Sequence, residues 1–256
     1  MSFKSVVSGA IFSSSTNPFA WKNIAQIPRY LRHKARFKKL GGGPVELFPI
    51  LSEFDESAGV MSGHYFHQDL YVARRIFQSQ PRRHFDVGSR IDGFVAHVAS
   101  FMEVHIFDVR ELHSKVPGIH FERADLMAAQ DWGEQVESLS CLHTLEHFGL
   151  GRYGDPVDPK GHLKGFKNMV DLVSPGGTFY LSFPIGSRER VEFNAHRVFH
   201  PRSVLSWPGS ENLTLEEFSW VDDQGDFHGN SSIEESIASN LNYGCGIYVF
   251  RKSPHN

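Results

Sequence analysis

From residue 82 onward, strand-like segments alternate with helix-like segments, and this alternation constrains the fold more than any other feature of the sequence. In chain order these segments are HFDV, IDGFVAHVASF, VHIFDV, GIHFERAD, LMAAQDWGEQV and LSCL. A helix over about residues 160–173 follows, and then the strand candidates TFYLSFP, LTLEEFSWV and GCGIYVFRK. Such alternation is typical of a parallel sheet whose strands are joined by crossover helices. The sequence therefore predicts an α/β fold.

The N-terminal segment has a different character from the rest of the chain. Residues 1–40 carry eight Lys or Arg and no acid, whereas the remainder carries 18 basic and 29 acidic residues. The string IPRYLRHKARFKKLGGG predicts a helix with Pro28 in its first turn and Gly41 beyond its end. A second predicted helix, in GHYFHQDLYVARRIFQSQP, leads into the body. We predict a basic helical arm over 1–44 and an α/β domain over 45–256.

The uneven charge bears on the partners of the chain. A basic arm on an acidic body indicates an anionic neighbour such as a membrane surface, and a solvated helix face is an equal alternative. Because a channel for a polyanion normally has a basic lining as well, the acidic body disfavours nucleic acid. We expect peripheral membrane contact through residues 1–40, and the oligomeric state stays open.

The composition of the chain indicates the cellular compartment in which the protein is expected. The chain has 256 residues, 40% hydrophobic and 21% charged, as in soluble globular proteins. Cys141 and Cys245 are the only cysteines, which excludes a disulfide framework and a four-cysteine zinc site and indicates a reducing compartment. No apolar run reaches the ~18 residues of a membrane span, and the serine-flanked VVSGAIF does not predict a secretion signal. We expect a cytoplasmic protein.

Small and acidic residues cluster where the first three strands end. The turn FDVGSRIDGF follows the first strand, the second strand ends in Asp108, and Asp125 follows the third. Glycine lets a backbone approach a ligand closely, and an acid at the end of the second strand of such folds accepts hydrogen bonds from ribose hydroxyls. The turn departs from G-x-G-x-x-G because Arg90 stands at the second glycine position. A helix cap is an equal alternative for Asp125.

Together with HTLEH after the fourth strand and SPGGTFYLSFP at the fifth, these segments resemble the class I S-adenosylmethionine-dependent methyltransferases over about residues 82–185. The resemblance implies a Rossmann-like methyltransferase fold with a mostly parallel, seven-stranded sheet flanked by helices. It implies that S-adenosylmethionine meets the glycine turn with its amino acid portion, the second-strand acid with its ribose and the third-strand acid with its adenine. The implied cofactor-binding residues are Asp86, Gly88, Arg90, Gly93, Asp108 and Asp125.

A narrower resemblance extends over about residues 45–250. The strings GHYFHQDLYVARRI, LEHFGLGRYGDPVDP and FNAHRVFHP are similar to a little-characterised bacterial domain family found among enzymes of surface-polysaccharide biosynthesis. This resemblance implies a glycan or glycan-precursor substrate, whereas the expected peripheral association with the inner membrane surface rests on the basic arm.

The string HTLEH supports two interpretations. His143, Glu146 and His147 spell H-x-x-E-H, the inverted zinc-protease motif, which predicts a zinc hydrolase if both histidines lie on one stable helix. The preceding SLSCL has strand character and several glycines follow, which disfavours that helix. In the methyltransferase interpretation, His143 or His147 is the general base that removes the acceptor proton, and His196 is a further candidate.

Other polar residues are candidates for binding the substrate or covering the site. Tyr65 and Gln68, with Asp69, predict a cover over the cofactor, although a solvent-facing helix surface is an equal alternative. Oxygen and imidazole ligands of Asp155, Asp158 and His196 suit a divalent metal, but no spacing rule supports them and no metal is predicted. The substrate-binding candidates are Glu146, Arg152, Tyr153, Asp155, Asn194 and Arg197.

The leading hypothesis is an S-adenosylmethionine-dependent O-methyltransferase that acts on a sugar hydroxyl of a surface glycan or its precursor. The first alternative is a non-catalytic binding module with a cofactor fold, docked to a membrane assembly by the arm. The second is a zinc hydrolase that uses the HTLEH cluster.

Overall fold

The computed structural model describes residues 23–128 and 134–254. Contacts divide the chain into two compact units, Met1–Val60 and Met61–Asn256, whereas the sequence predicted a boundary at residue 44. The predicted helix LMAAQDWGEQV lies partly outside the described residues, as does the first half of the basic arm. Within the described ranges, no helix combines the length and the apolar character needed to cross a bilayer.

The first unit contains helix α1, Ile27–Lys39, as predicted. Pro28 lies in its first turn, where a missing backbone N–H costs no hydrogen bond. None of the helix residues is buried, and its last turn is basic, which suits the negative end of the helix dipole. A 3₁₀ turn, Glu53–Asp55, receives an ion pair from Arg29 at 2.8 Å.

The second unit begins with helix α2, His64–Ser79, which confirms the predicted entry helix. Its inward face has two polar side chains in the first half of the helix and three apolar side chains after them, at helical spacing. The buried residues of this face are Gln68, Asp69, Val72, Ala73 and Ile76.

Eight strands form one sheet, and they are β1 (His84–Val87), β2 (Val104–Asp108), β3 (Ile119–Arg123), β4 (Val136–Leu142), β5 (Val173–Ile185), β8 (Leu213–Val221), β9 (Phe227–Ser231) and β10 (Gly244–Lys252). Their order in the sheet is β3-β2-β1-β4-β5-β10-β8-β9. Strands β1 to β5 are parallel, β10 runs antiparallel between β5 and β8, and β9 is antiparallel to β8. A separate hairpin pairs β6 (Arg190–Glu192) with β7 (His196–Val198).

Helices cover both faces of the sheet. After β1, a π-helical turn at Ile91–Val95 continues into α3, Ala96–Ala99, and these pack with α2 in one apolar cluster. Helix α4, Gly161–Leu172, packs in a second cluster on the other face. The remaining helical elements are Leu145–His147, Ser203–Ser206, Ser210–Asn212 and α5, Ile233–Ala238.

The fold confirms the mostly parallel α/β prediction but corrects its details. The main sheet has eight strands rather than seven, because the polar string FHGNS forms the edge strand β9. An edge strand with one exposed face needs no apolar run, so its sequence carries no strand signal. The string SPGG, which lies between the predicted helix and the predicted strand TFYLSFP, is part of the extended β5.

Candidate functional site

A cleft lies at the carboxyl ends of β1 to β4, beside the point where the strand order reverses between β1 and β4. This is the edge at which open α/β sheets bind ligands. The cleft has two parts, an apolar recess of about 60 Å³ and a polar chamber of about 590 Å³. The residues that line both parts are Gly88, Asp108, Arg110, His143, His147 and Tyr153.

The glycine turn after β1 separates the cleft from the core. Gly88 has φ +67°, its N–H donates to the Phe107 carbonyl at 2.9 Å, and a Cβ at this position would lie 2.5 Å from the Thr144 methyl carbon. A side chain here would be strained and crowded, which explains the glycine. Arg90 follows in the chamber wall, paired with Asp92 at 3.1 Å.

Asp86 supports this turn from below and does not line the cleft. Its carboxylate accepts hydrogen bonds from the Ser89 N–H at 3.0 Å, the Ser89 hydroxyl at 2.7 Å and the Ser140 hydroxyl at 2.5 Å. Burial raises the pKa of Asp86 to about 6, although these hydrogen bonds oppose the shift. The structure thus gives Asp86 a part in shaping the turn instead of direct ligand contact.

Asp108 ends β2 and faces both parts of the cleft. Its Oδ1 accepts from the backbone N–H and from Nε of Arg110, at 2.8 and 3.0 Å, and its Oδ2 accepts from Nη2 at 2.7 Å. The Arg110 guanidinium also lies 4.4 Å from the centroid of the Tyr153 ring. Arg110 therefore connects the second strand to the loop after β4.

The recess lies beyond Asp108, between the ends of β2 and β3. Asp125 is at its rim, and its Oδ1 accepts from the Met127 N–H at 2.9 Å. Residues 126–128 form a turn and not the predicted helix, so this bond does not confirm a helix cap. Because no hydrogen bond from the described residues reaches the second oxygen of this carboxylate, the turn contact and ligand contact are compatible. The apolar lining residues are Val87, Phe107, Ala124, Leu126, Met127 and Phe148.

The HTLEH string does not form the zinc-protease arrangement. His143 ends β4 with φ +50°, and Leu145–His147 is a single 3₁₀ turn. Because the two histidines are not one turn apart on an α-helix, their rings do not share a helical face as the inverted motif requires. The strand before the motif and the glycines after it explain this outcome.

Glu146 lies between the two histidines and is 1% exposed. Its Oε1 is 2.8 Å from Nδ1 of His143 and 3.7 Å from Nε2 of His147, and its Oε2 is buried without a hydrogen-bond partner. Burial would raise the pKa of Glu146, but the adjacent His143 lowers it overall. For His143, burial acts to lower the pKa, yet Cys245 and Glu146 raise it well above its usual value.

His147 presents a free ring nitrogen to the cleft. Its Nδ1–H donates to the Ala195 carbonyl at 2.7 Å, which leaves Nε2 unprotonated in the neutral ring. Burial lowers the pKa of His147, although Glu146 and the Ala195 carbonyl oppose the shift. Arg152 donates to the same carbonyl at 2.8 Å and lines the chamber. His147 is therefore a neutral base beside both parts of the cleft.

Three segments distant in sequence complete the chamber. Tyr65, at the start of α2, lines the chamber, and its ring centroid lies 5.0 Å from Cζ of Arg90. One residue of the predicted cover is therefore at the cleft. His196, at the start of β7, packs against Tyr243 with ring centroids 5.2 Å apart, and both line the chamber.

Besides Asp86, four predicted site residues do not line the cleft. Gln68 is 1% exposed beneath it, where its carbonyl oxygen accepts from the Ser182 hydroxyl at 2.5 Å. Gly93 lies in the π-helical turn against Asp69, since a Cβ there would be 2.5 Å from Oδ2 of that residue. Asn194 is exposed in the turn that joins β6 to β7.

The fourth, Arg197, is 4% exposed and donates to the carbonyls of Glu146 and Phe148 at 3.2 and 2.6 Å. It supports the loop after β4 from below, which excludes direct substrate contact in this arrangement. A planar guanidinium with several donors suits this bridging of carbonyls.

The acids of the loop after β4 shape that loop. Asp155 lines the recess, but its carboxylate accepts from the N–H groups of Gly149 at 2.8 Å and Tyr153 at 3.1 Å. Asp158 pairs with Lys164 at 2.6 Å. Their carboxylates and His196 are not among the described groups whose atoms converge on one point, so the arrangement gives no support to that metal trio.

Sequence reasoning missed Ser89, Arg110, Thr144 and Tyr243 in the cleft lining. For Arg110 a signal existed, because an Arg two residues after a strand-end acid can pair with it. Tyr243 follows the polar stretch before β10, and no local pattern connects it to the β4 loop.

Comparison with known proteins bears on the fold. A family model described as a Caenorhabditis protein of unknown function, DUF268, matches residues 102–227. It gives no support to the predicted bacterial polysaccharide family. No curated protein sequence matches the chain.

Three solved structures resemble the chain at low sequence identity. The O-methyltransferase of the trans-AT PKS multienzyme of Brevibacillus brevis, in complex with S-adenosyl-L-homocysteine, is 12% identical over 74% of this chain and 73% of that chain, with a TM-score of 0.52. A chain from the complex of the Haloferax volcanii Trm112 methyltransferase activator with the putative methyltransferase is 10% identical over 75% and 91%, with a TM-score of 0.52. The [4+2]-cyclase SpnF is 12% identical over 77% and 89%, with a TM-score of 0.50. The chain therefore has the Rossmann-like fold found in S-adenosylmethionine-dependent methyltransferases.

Proposed function

We propose that this chain is an S-adenosylmethionine-dependent methyltransferase that binds its cofactor in the cleft. The observation that carries the proposal is the order of groups around the recess: the Gly88 turn, then Asp108, then Asp125, at the ends of three adjacent parallel strands. A fold alone does not determine chemistry, and the cyclase with the same fold illustrates this. The proposal therefore rests on the site residues.

The residues present fit the cofactor. An apolar recess suits a flat purine ring, and carboxylates at its rim accept hydrogen bonds from an amino group or a ribose hydroxyl. Asp108 receives three hydrogen bonds from Arg110, and a carboxylate offers about four acceptor sites, so one further donor can be accepted. Bound S-adenosylmethionine supplies an electrophilic methyl group.

His147 is the proposed general base. Its Nδ1–H is held by the Ala195 carbonyl, and its Nε2 accepts the proton of an acceptor hydroxyl in the chamber. The lowered pKa keeps the ring neutral near pH 7, which is the form that accepts a proton. His143 does not serve this purpose, because its Nδ1 faces Glu146 and its Nε2 is buried.

We propose a sugar hydroxyl of a surface glycan or its precursor as the acceptor. The chamber combines aromatic faces with charged hydrogen-bonding groups, which together suit a polyhydroxylated ring. These residues are Tyr65, Tyr153, Tyr243, Arg90, Arg152 and Glu146. The resemblance to a bacterial polysaccharide-associated family is the second support, and it bears on the acceptor alone.

Calorimetric titration with S-adenosylhomocysteine tests the cofactor assignment without an acceptor. We expect wild-type binding, and at least about tenfold weaker binding by Asp108→Ala, because a hydrogen bond to a charged group contributes roughly 1.5–3 kcal/mol. Glu122→Ala, an equal change of charge at an exposed residue of β3, is the control. No binding by the wild type would reject the proposal, and binding without methyl transfer to any acceptor would favour the non-catalytic module.

The basic arm is the proposed contact with an anionic inner membrane surface in the cytoplasm. Every residue of α1 is at least partly exposed, and its last turn is basic. Lys38→Glu should weaken binding to phosphatidylglycerol vesicles by about 1 kcal/mol or more, whereas Lys115→Glu, an exposed lysine of the second unit, should not. Vesicle co-sedimentation at two salt concentrations measures this, and equal binding by both variants would contradict the contact.

A further inference from the structure

Beneath the chamber, two imidazoles and a thiol converge in a group that the proposed methyl transfer does not use. His64 comes from the start of α2, His143 from the end of β4 and Cys245 from β10. One potential ligand atom from each lies within 4.8 Å of the other two, and no other such group of His, Cys, Asp and Glu occurs among the described residues. We refer to these three residues as the His–His–Cys cluster.

His143 is already oriented as metal-bound histidines usually are. Its Nδ1 lies 2.8 Å from Oε1 of Glu146, so this nitrogen carries the proton and donates it to the carboxylate. Its Nε2 is buried without a hydrogen bond of good geometry, and its neighbour is the Cys245 thiol. A carboxylate that orients a histidine in this way is the common outer support of zinc ligands. The free Nε2 is thus directed into the cluster.

His64 is held against Tyr243. Their ring centroids lie 5.2 Å apart, and the Tyr243 backbone opposes the lowering of the His64 pKa that burial causes. The His64 and His143 rings have centroids 5.1 Å apart and planes inclined by 16°. Both histidines thus have an outer partner, and one ligand atom of each lies within 4.8 Å of the Cys245 sulfur.

Cys245 completes the cluster with a buried sulfur. It is 0% exposed, and besides the adjacent His143 ring its Sγ has two long contacts, 3.7 Å to Oε1 of Gln68 and 3.7 Å to the Gly246 carbonyl. The other cysteine, Cys141, is packed among apolar side chains of the core. Only Cys245 thus combines a thiol with two imidazoles.

We propose that His64, His143 and Cys245 bind a zinc ion. Thiolate and imidazole together are ligands that Zn²⁺ prefers, at ~2.3 Å for sulfur and ~2.0–2.1 Å for nitrogen. On binding, the Cys245 thiol and the protonated Nε2 of His143 each release a proton to solvent, and both histidines then bind through nitrogens that carry no proton. The charges of the ion, the thiolate and the Glu146 carboxylate then sum to zero, which lowers the cost of burial. Oε1 of Gln68, beside the sulfur, is the candidate fourth ligand.

The site is structural rather than catalytic. Of the three ligands, only His143 lines the chamber. The ion would join the start of α2, the end of β4 and β10, and would hold His143 and Glu146 at the chamber wall. His143 is accordingly a positioning residue, which agrees with the assignment of proton transfer to His147.

Metal analysis and cobalt substitution of the full chain test the proposal. The protein is purified without a polyhistidine tag, and its zinc content is measured. The metal is then removed under conditions in which the protein stays folded, and Co²⁺ is added as the probe. We expect about one zinc per chain, and a thiolate-to-cobalt charge-transfer band with the strong visible absorption of a four-coordinate cobalt ion. Cys245→Ala should abolish the band, and Cys141→Ala, which removes the other thiol, should retain it.

A second pair of variants covers the case in which Cys245→Ala does not fold. His64→Gln should lose metal affinity, whereas His67→Gln, one turn along the same helix and stacked on Phe227, should not. Glu146→Gln keeps all three ligands and should weaken the metal about 10- to 100-fold. A folded wild-type protein without zinc and without a charge-transfer band would overturn the proposal. So would a band that survives in folded Cys245→Ala, or metal affinity that is unchanged in folded His64→Gln. None of these three results depends on whether the chain binds S-adenosylhomocysteine.

Discussion

The recess and the chamber of the cleft are built in different ways. The recess is formed by the ends of β1, β2 and β3 and the residues just after them, with the loop after β4 as its cover. The chamber shares the β1 turn and the end of β2 with the recess, and its wall adds that loop, the start of α2, the start of β7 and the residue before β10. Adjacent parallel strands form the first part, and segments far apart in sequence complete the second.

This difference separates what each part can do. The recess has apolar walls and two carboxylates at its rim, which suits binding a nucleoside. The chamber has arginines, tyrosines, histidines and the buried Glu146, which suits a polar acceptor and proton transfer. If the two parts act separately, a change in one should leave the property of the other unaltered.

The largest expected effect belongs to His147 at the chamber side. His147→Gln should lower turnover about 10²- to 10⁴-fold, because a general base contributes that much, and should leave affinity for S-adenosylhomocysteine within about threefold. Turnover is measured by transfer of labelled methyl from S-adenosylmethionine to the acceptor. His196→Gln, at another chamber histidine, is the matched control and should retain most of the activity.

The pH profile sharpens this prediction. Because burial lowers the pKa of His147, the acid limb of kcat/KM should lie below the ordinary histidine value of ~6.5. An acid limb that persists in His147→Gln, or turnover that survives the substitution, would assign proton transfer to another group.

The next effect concerns Asp86, beneath the boundary between the two parts. In the folded chain the carboxyl group of Asp86 has a pKa of about 6, whereas the ordinary value for Asp is 3.8. Asp86 therefore favours folding most below pH 4, and this contribution is lost as the pH rises through 6. Asp86→Asn should remove a pH-dependent difference on the order of 3 kcal/mol, read from urea unfolding at pH 4 and pH 7.

Glu122→Gln controls for the loss of one negative charge on the surface. If the two variants show the same pH dependence of unfolding free energy, Asp86 is ionised in the folded chain at pH 5 and the turn is held in another way.

The smallest effect tests whether the two parts can be separated at all, because Gly88 lines both. Gly88→Ala should destabilise the fold by about 1–3 kcal/mol through its positive φ and the crowding against Thr144, and should weaken cofactor binding as well. Gly154→Ala has a similar φ of +82° but open space around its Cβ, so it isolates the backbone effect. Equal thermal shifts in the two variants would show that the contact with Thr144 has no part.

Local patterns predicted much of the first half of the domain. Helix α2, the first five strands and the positions of Gly88, Asp108 and Asp125 at the strand ends follow from alternation, turn residues and the parallel arrangement. Asp86 and Gly93 were assigned to the cofactor by resemblance, but Asp86 is buried beneath the turn and Gly93 packs against Asp69. The polar β9 was missed because an edge strand leaves little pattern in its sequence.

The sequence by itself determined the α/β class, the helix α1 and the sheet edge at which the cleft lies. These depend on periodicity and on the rule that parallel strands end at the same side, and both are local properties. Only the tertiary structure decided that His147 faces the cleft with a free nitrogen, that Arg197 supports a loop, and that His64, His143 and Cys245 converge. Such side chains meet through packing of segments that are 48 or more residues apart. No pattern in one sequence records that proximity, because it is a consequence of how the helices and the antiparallel strands close around the parallel sheet.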